Sequence, residues 1–115
     1  MLSSARYPRL DADVPAMFSR TVVTDLLRRD LGFSGLAVTD DVGAAAAVQD
    51  VPVGERATRF LEAGGDVVLT ADPGLAGTMT DAIVAWAEAD EDNARRVRES
   101  VTRVLTVKDA LGLLP

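Results

Sequence analysis

Apolar positions in this chain fall into two kinds of run. Short unbroken ones are bounded by glycine and acid: "GLAVTDD" (35–41) and "DVVLTA" (66–71). They predict buried strands over 35–40 and 66–71, since strands covered on both faces show no alternation. Longer runs space their apolar residues by three and four. "SRTVVTDLLRRDLG" (19–32) places Val22, Val23, Leu26 and Leu27 on one helical face, with Ser19 suited to the N-cap and Gly32 to the stop. "VGERATRFLEAGG" (53–65) predicts a second helix with Ala57, Phe60 and Leu61 inward and Gly64-Gly65 closing it. Asp72 and Pro73 match the N-cap and N1 of a third, which runs to about Asp90 with Ala76, Met79, Ile83 and Trp86 on one face. A last helix carries Val97, Val101, Val104, Leu105 and Leu111 and ends at Gly112. The opening "MLSSARYPRLDADVPAM" reads as the end of a strand followed by a loop, because Pro8 and Pro15 forbid regular structure. "GAAAAVQDVP" (43–52) reads as a loop or short helical turn.

The order is strand end, helix, strand, helix, strand, helix, helix. Strands alternating with helices predict an α/β fold with a parallel sheet and right-handed crossovers. Two complete strands and a partial third do not close a sheet, and their edges are bare. Residues 1–115 are therefore expected to be one partial domain of something larger. Alone, the chain is expected to associate with itself through open sheet edges, or to be partly molten or aggregation-prone.

Composition narrows the chemistry. The formal net charge of −6 argues against nucleic acid as a partner, since phosphate binding needs a basic patch. All of the 12 basic residues but Lys108 are Arg, a mark of coding bias and not of function. No Cys is present, which removes thiol nucleophiles, disulfides and zinc–thiolate sites, and no His, which removes the commonest general base and metal ligand. Arg6, Pro8 and Arg9 interrupt any apolar core of a signal peptide, and no run approaches the ~20 apolar residues of a membrane span. As written the chain is expected to be soluble and cytoplasmic, with export of a longer protein left open.

Ligands of parallel α/β folds sit at the C-terminal ends of strands. Ser3-Ser4, Thr39-Asp40-Asp41 and Thr70-Ala71-Asp72 meet that description. The middle group has the strongest chemistry: a carboxylate on a rigid strand tip can attack a sugar carbon, accept a proton or hold a divalent metal. The plainer alternative is a turn, because Asp turns the chain and caps the next helix. Asp72 before Pro73 suits a cap, Trp86 suits the core, and Arg28-Arg29 and Arg95-Arg96 suit solvated helix faces.

The whole segment "LLRRDLGFSGLAVTDDVG" (26–43) shifts that balance. Leu26, Leu27, Arg28, Asp30, Gly35, Leu36, Val38, Thr39 and Asp40 resemble the signature of glycoside hydrolase family 3, with Ala37 standing where a larger aliphatic is usual. "SSARYPRLDADVPAMFS" resembles the family's segment between barrel strand six and helix six, and "EAGGDVVLTADP" its eighth strand. The resemblance implies the C-terminal third of a (β/α)8 TIM barrel, from the end of strand six to helix eight plus a C-terminal helix; a whole barrel takes ~250 residues. "TDD" resembles the β-N-acetylhexosaminidase branch, which implies Asp40 as the nucleophile of a retaining glycosidase. Asp41 and Ser4 are then expected at the substrate, Asp41 as a supporting or structural acid. The implied substrate is a glycan with terminal N-acetyl-β-glucosaminides, such as one derived from peptidoglycan, and no metal or cofactor is implied. That branch supplies its acid/base from an Asp-His pair, and a Lys-His motif for sugar hydroxyls, earlier in the barrel. With no His, the chain alone is expected to be inactive.

Two other readings stay open. A phosphoacceptor signalling domain uses paired acids at a strand tip, here Asp40 and Asp41, but also needs a further Asp, a Ser or Thr, and a Lys at a strand end, whereas Lys108 falls in the last helix. A non-catalytic association module shares the hydrolase ancestry and differs only in activity.

Overall fold

The computed structural model describes all 115 residues. Strand β1 (Val38–Asp41) pairs in parallel with β2 (Val67–Leu69), as the pattern predicts, although both strands are shorter than expected. The partial third strand is a single parallel bridge from Leu2 to Thr39 on the other side of β1. There the Leu2 N–H donates to the Val38 carbonyl at 2.7 Å, and the Asp40 N–H to the Leu2 carbonyl at 2.9 Å.

Helices α1 (Val53–Ala63), α2 (Ala76–Ala89) and α3 (Glu91–Ala110) lie where the apolar spacing puts them. Gly64 closes α1 at φ 113°, a conformation that suits glycine because it has no Cβ. Asp72 caps the turn before α2 by accepting the Gly74 N–H at 2.8 Å, with Pro73 next. Asp90 caps α3 through the Asp92 N–H at 2.8 Å. Met17, Ala37, Val42, Val48, Ala57, Phe60 and Met79 form the core between the helices and one face of the sheet.

Two expectations are corrected. The strands are not covered on both faces: Ala37 and Thr39 are buried, but Leu69 is 40% exposed because helices cover only one face. Second, Thr21–Asp30 is π-helical, not α-helical. Its i→i−5 bonding widens the turn, so that Arg28 shares the inward face of buried Val23. Arg28, and likewise Arg96 on α3, are not solvated; only their neighbours Arg29 and Arg95 are.

Both inward arginines meet at Asp66, at the entry to β2. Its side chain is closed to solvent and takes Arg28 and the Ala37 N–H (2.9 Å) on Oδ2. On Oδ1 it takes Arg103 (2.9 Å), Ser100 Oγ (3.2 Å) and Arg96 (3.4 Å). Burial pushes this carboxyl up, but the Ala37 N–H, Arg103 and Arg28 outweigh it and hold it below the usual carboxylate range.

Removing one partner of a buried charge cluster strands the others, so Asp66→Ala should cost roughly 3–5 kcal/mol of unfolding free energy in a urea titration at neutral pH. Arg29→Ala, at an exposed pair, should stay within about 0.5 kcal/mol. The folded Asp66 carboxyl lies below its unfolded value of ~3.9, so its contribution is complete above that value and is lost as pH falls through the folded one. The urea midpoint should therefore drop below about pH 4, and Asp66→Ala should flatten that drop.

Candidate active site

Asp40 stands at the C-terminal tip of β1, where the sequence places it, and its backbone is set by an irregularity in the ladder. Val38 pairs with Val67 and Asp41 with Leu69, so three steps along β1 match two along β2. An extra residue of this kind bends a strand and re-aims its side chains. It also takes a main-chain acceptor away from the Leu69 N–H. Fully buried Thr39 replaces that acceptor: its Oγ1 receives the Leu69 N–H at 2.8 Å. Thr39 therefore does not help to hold Asp40 charged, because its hydroxyl faces β2.

Ser4 serves that purpose instead. Its hydroxyl donates to Asp40 Oδ2 at 2.7 Å, and the Asp41 N–H donates to Asp40 Oδ1 at 2.9 Å. The Ser4 hydroxyl first, and the Asp41 N–H second, hold the Asp40 carboxyl below the usual range, so it is ionised at neutral pH. A partly exposed carboxylate with one donor on each oxygen is oriented and still open to an electrophile.

Asp41 turns the other way. Its Oδ1 accepts the N–H groups of Gly43 (2.8 Å), Ala44 (3.3 Å) and Ala71 (3.3 Å), tying the loop after β1 to the loop after β2. The loops approach so closely that a Cβ on Gly43 would lie 2.7 Å from Thr70 Oγ1, which explains the glycine after "TDDV".

Arg56, which the pattern of α1 does not single out, holds the same loop from below. It is buried and donates to the carbonyls of Val42 (2.7 Å), Val51 (2.8 Å) and Gln49 (3.2 Å). Its only sequence signal is its place one residue before core Ala57 on α1. Asp72 is a cap, as expected, and Trp86 is half-buried on α2. No group of three His, Cys, Asp or Glu side chains is placed to hold a metal ion. No helix is long and apolar enough to cross a membrane.

A parallel α/β arrangement with an oriented carboxylate at a strand tip is the frame of many hydrolases. Comparison with known proteins narrows it. Residues 1–107 match the glycosyl hydrolase family 3 N terminal domain. A β-hexosaminidase of Hydrogenovibrio crunogenus is 33% identical over 98 residues, 85% of this chain and 27% of its own length. One from Bordetella pertussis is 37% identical over 92 residues, 79% of this chain and 26% of its own. Among solved structures, the β-N-acetylhexosaminidase of Beutenbergia cavernae matches with a TM-score of 0.90 at 49% identity, over 93% of this chain and 32% of its own. The β-N-acetylglucosaminidase of Thermotoga maritima matches with a TM-score of 0.79 at 30% identity, over 89% and 23%. The chain belongs to glycoside hydrolase family 3, and its relatives there are β-N-acetylhexosaminidases. It spans about a quarter of the length of these curated relatives.

Two measurements test the geometry. Thr39→Val leaves the Leu69 N–H without an acceptor and should cost roughly 1–3 kcal/mol, with Thr39→Ser recovering most of it. Ser4→Ala should raise the Asp40 carboxyl midpoint in a carbon-detected NMR titration. An unchanged midpoint would show that Ser4 does not hold the charge.

Proposed function

We propose that residues 1–115 form the C-terminal third of a family 3 (β/α)8 barrel and carry the nucleophile, Asp40, of a retaining glycosidase. The substrate in this reading is a glycan ending in N-acetyl-β-glucosamine, such as one derived from peptidoglycan. What supports it most is one observation: the Asp40 carboxylate sits at a strand tip, ionised, with a donor on each oxygen. In a retaining reaction this carboxylate attacks the anomeric carbon while an acid/base group across the scissile bond protonates the leaving oxygen. Water then cleaves the glycosyl ester, and the proton returns to that acid/base group. Ser4 and Asp41 belong to the sugar-facing rim, Ser4 by orienting Asp40 and Asp41 by holding the two loops beside it. No cofactor enters the scheme.

The phosphoacceptor reading needs Asp40 and Asp41 to converge on one cation, whereas Asp41 Oδ1 is taken up by three main-chain amides. The family membership favours the glycosidase.

The acid/base of the hexosaminidase branch is an Asp-His pair, and these 115 residues contain no His. The purified chain should therefore show no measurable hydrolysis of an aryl N-acetyl-β-glucosaminide, a loss of ~10²–10⁴ from the missing acid/base alone. Robust turnover abolished by Asp40→Ala would place a second catalytic group within the chain. The nucleophile itself is tested by exchanging this chain for the matching third of the Beutenbergia cavernae enzyme. Asp40→Ala in that chimera should lower turnover at least ~10³-fold. Azide should restore it and give a glycosyl azide of inverted anomeric configuration. Failure of azide to rescue a folded variant would leave Asp40 a structural acid.

A further inference from the structure

Asp66 stands at the entry to β2 and Asp40 at the exit of parallel β1, so the two acids lie at opposite ends of the sheet. The Asp66 end carries a cavity of about 260 Å³ with no apolar residue in its lining. Arg20 and Arg28 wall it from the π-helical segment and its N-cap, Glu62 from the end of α1, and Arg96, Glu99 and Arg103 from α3. These walls pack on one another within the chain. Thr24 Oγ1 ties the π-helical segment to the Ala63 carbonyl at 2.7 Å, and Ser100 Oγ ties α3 to the Gly65 carbonyl at 3.1 Å. The cavity is thus a junction of three packed elements and not a sheet edge.

Four arginines line it against two glutamates, in a chain whose net charge is −6. Arg28, Arg96 and Arg103 share the single carboxylate of Asp66, and the side chains of Arg28 and Arg96 are only 13% and 16% exposed. Buried charges are ordinarily matched, yet positive charge is in surplus here. Arg96 meets its two acids at long range, Asp66 at 3.4 Å and Glu99 at 3.5 Å. Burial lowers the Arg96 guanidinium from its ordinary value, and the charge of Arg103 adds to the fall against the pull of Asp66 and Glu99. Arg28 Nε is the one buried side-chain nitrogen or oxygen in the molecule without a hydrogen-bond partner.

We propose that this cavity is an oxyanion site that takes a phosphoryl group, free or esterified, at the end of the sheet remote from Asp40. Guanidinium forks match phosphoryl oxygens in geometry, and the pairing strengthens where water is partly excluded. The anion offsets the surplus positive charge, while Glu62 and Glu99, both exposed, repel it from the rim. The inference draws on neither Asp40 nor the glycosidase reading.

Inorganic phosphate titrated into the full chain at neutral pH, with ionic strength held constant by sodium chloride, should give saturable shifts in the amide and arginine Nε–H signals around the cavity. Arg103→Gln should weaken binding at least ~10-fold, as for loss of a charge-assisted hydrogen bond. Arg103 also holds Asp66, so exposed Arg20 supplies a variant that leaves the cluster intact: Arg20→Gln should weaken binding ~3-fold. Glu62→Gln combined with Glu99→Gln should tighten binding, an effect that loss of structure does not mimic. Asp40→Ala should leave it unchanged. Glycerol 3-phosphate, titrated in parallel, tells an esterified phosphoryl group from the free ion, and saturation by either supports the site. Shifts that sodium chloride alone reproduces, shifts that bypass the cavity signals, or a double glutamine variant that binds no tighter would each overturn the proposal.

Discussion

Asp66 enters β2 with its carboxylate closed to solvent, and five donors from three other parts of the chain converge on its two oxygens. The Ala37 N–H ties it to the approach to β1, Arg28 to the π-helical segment, and Arg96, Ser100 and Arg103 to α3. An ionised acid in such a place is tolerable only when it is fully paired, so the elements cannot separate without exposing an unmatched charge to a dry interior. Arg28 extends the cluster further by donating to the carbonyls of Phe33 and Gly35, which fixes the turn into β1. Since β1 is only four residues long, fixing its base also restricts where its tip can lie.

At that tip, the position of Asp40 is decided by backbone more than by side-chain packing. The irregular register turns Asp40 to the site, Thr39 supplies the acceptor that the irregularity removes, and Asp41 and Arg56 hold the flanking loops through amides and carbonyls. The "TDD" triplet thus divides its labour by direction. Thr39 faces β2, Asp40 faces Ser4, and Asp41 faces the neighbouring loop. Two adjacent acids are compatible there because each has its own donors.

The chain shares its shape with a third of a larger enzyme, at a TM-score of 0.90, although each of its complete strands has few neighbours. Capped helices, the long-range Asp66 cluster and a small core around Phe60 hold this arrangement. The same economy leaves the second face of the sheet and the apolar flanks of α2 and α3 uncovered.

The helices, the parallel strands and Asp40 at a strand tip were legible in the sequence, because apolar spacing, glycine stops and Asp caps are local signals whose physics acts within a few residues. The family signature was equally local, confined to residues 26–43. What was not legible involves partners far apart along the chain. Arg28 reads as a solvated helix residue until π-helical bonding turns it to Asp66, 38 positions away. Ser4 is expected near the substrate, but its hydrogen bond to Asp40, 36 positions on, exists only because the Leu2 bridge brings the two together. Thr39 reads only as a strand-end residue until the irregular register gives it the Leu69 N–H, 30 positions on. The sequence by itself determined which elements form and which carboxylate stands at the tip of β1. The tertiary structure alone decided what holds that carboxylate and which apolar faces stay open, because hydrogen-bond direction and burial depend on neighbours that only folding brings together.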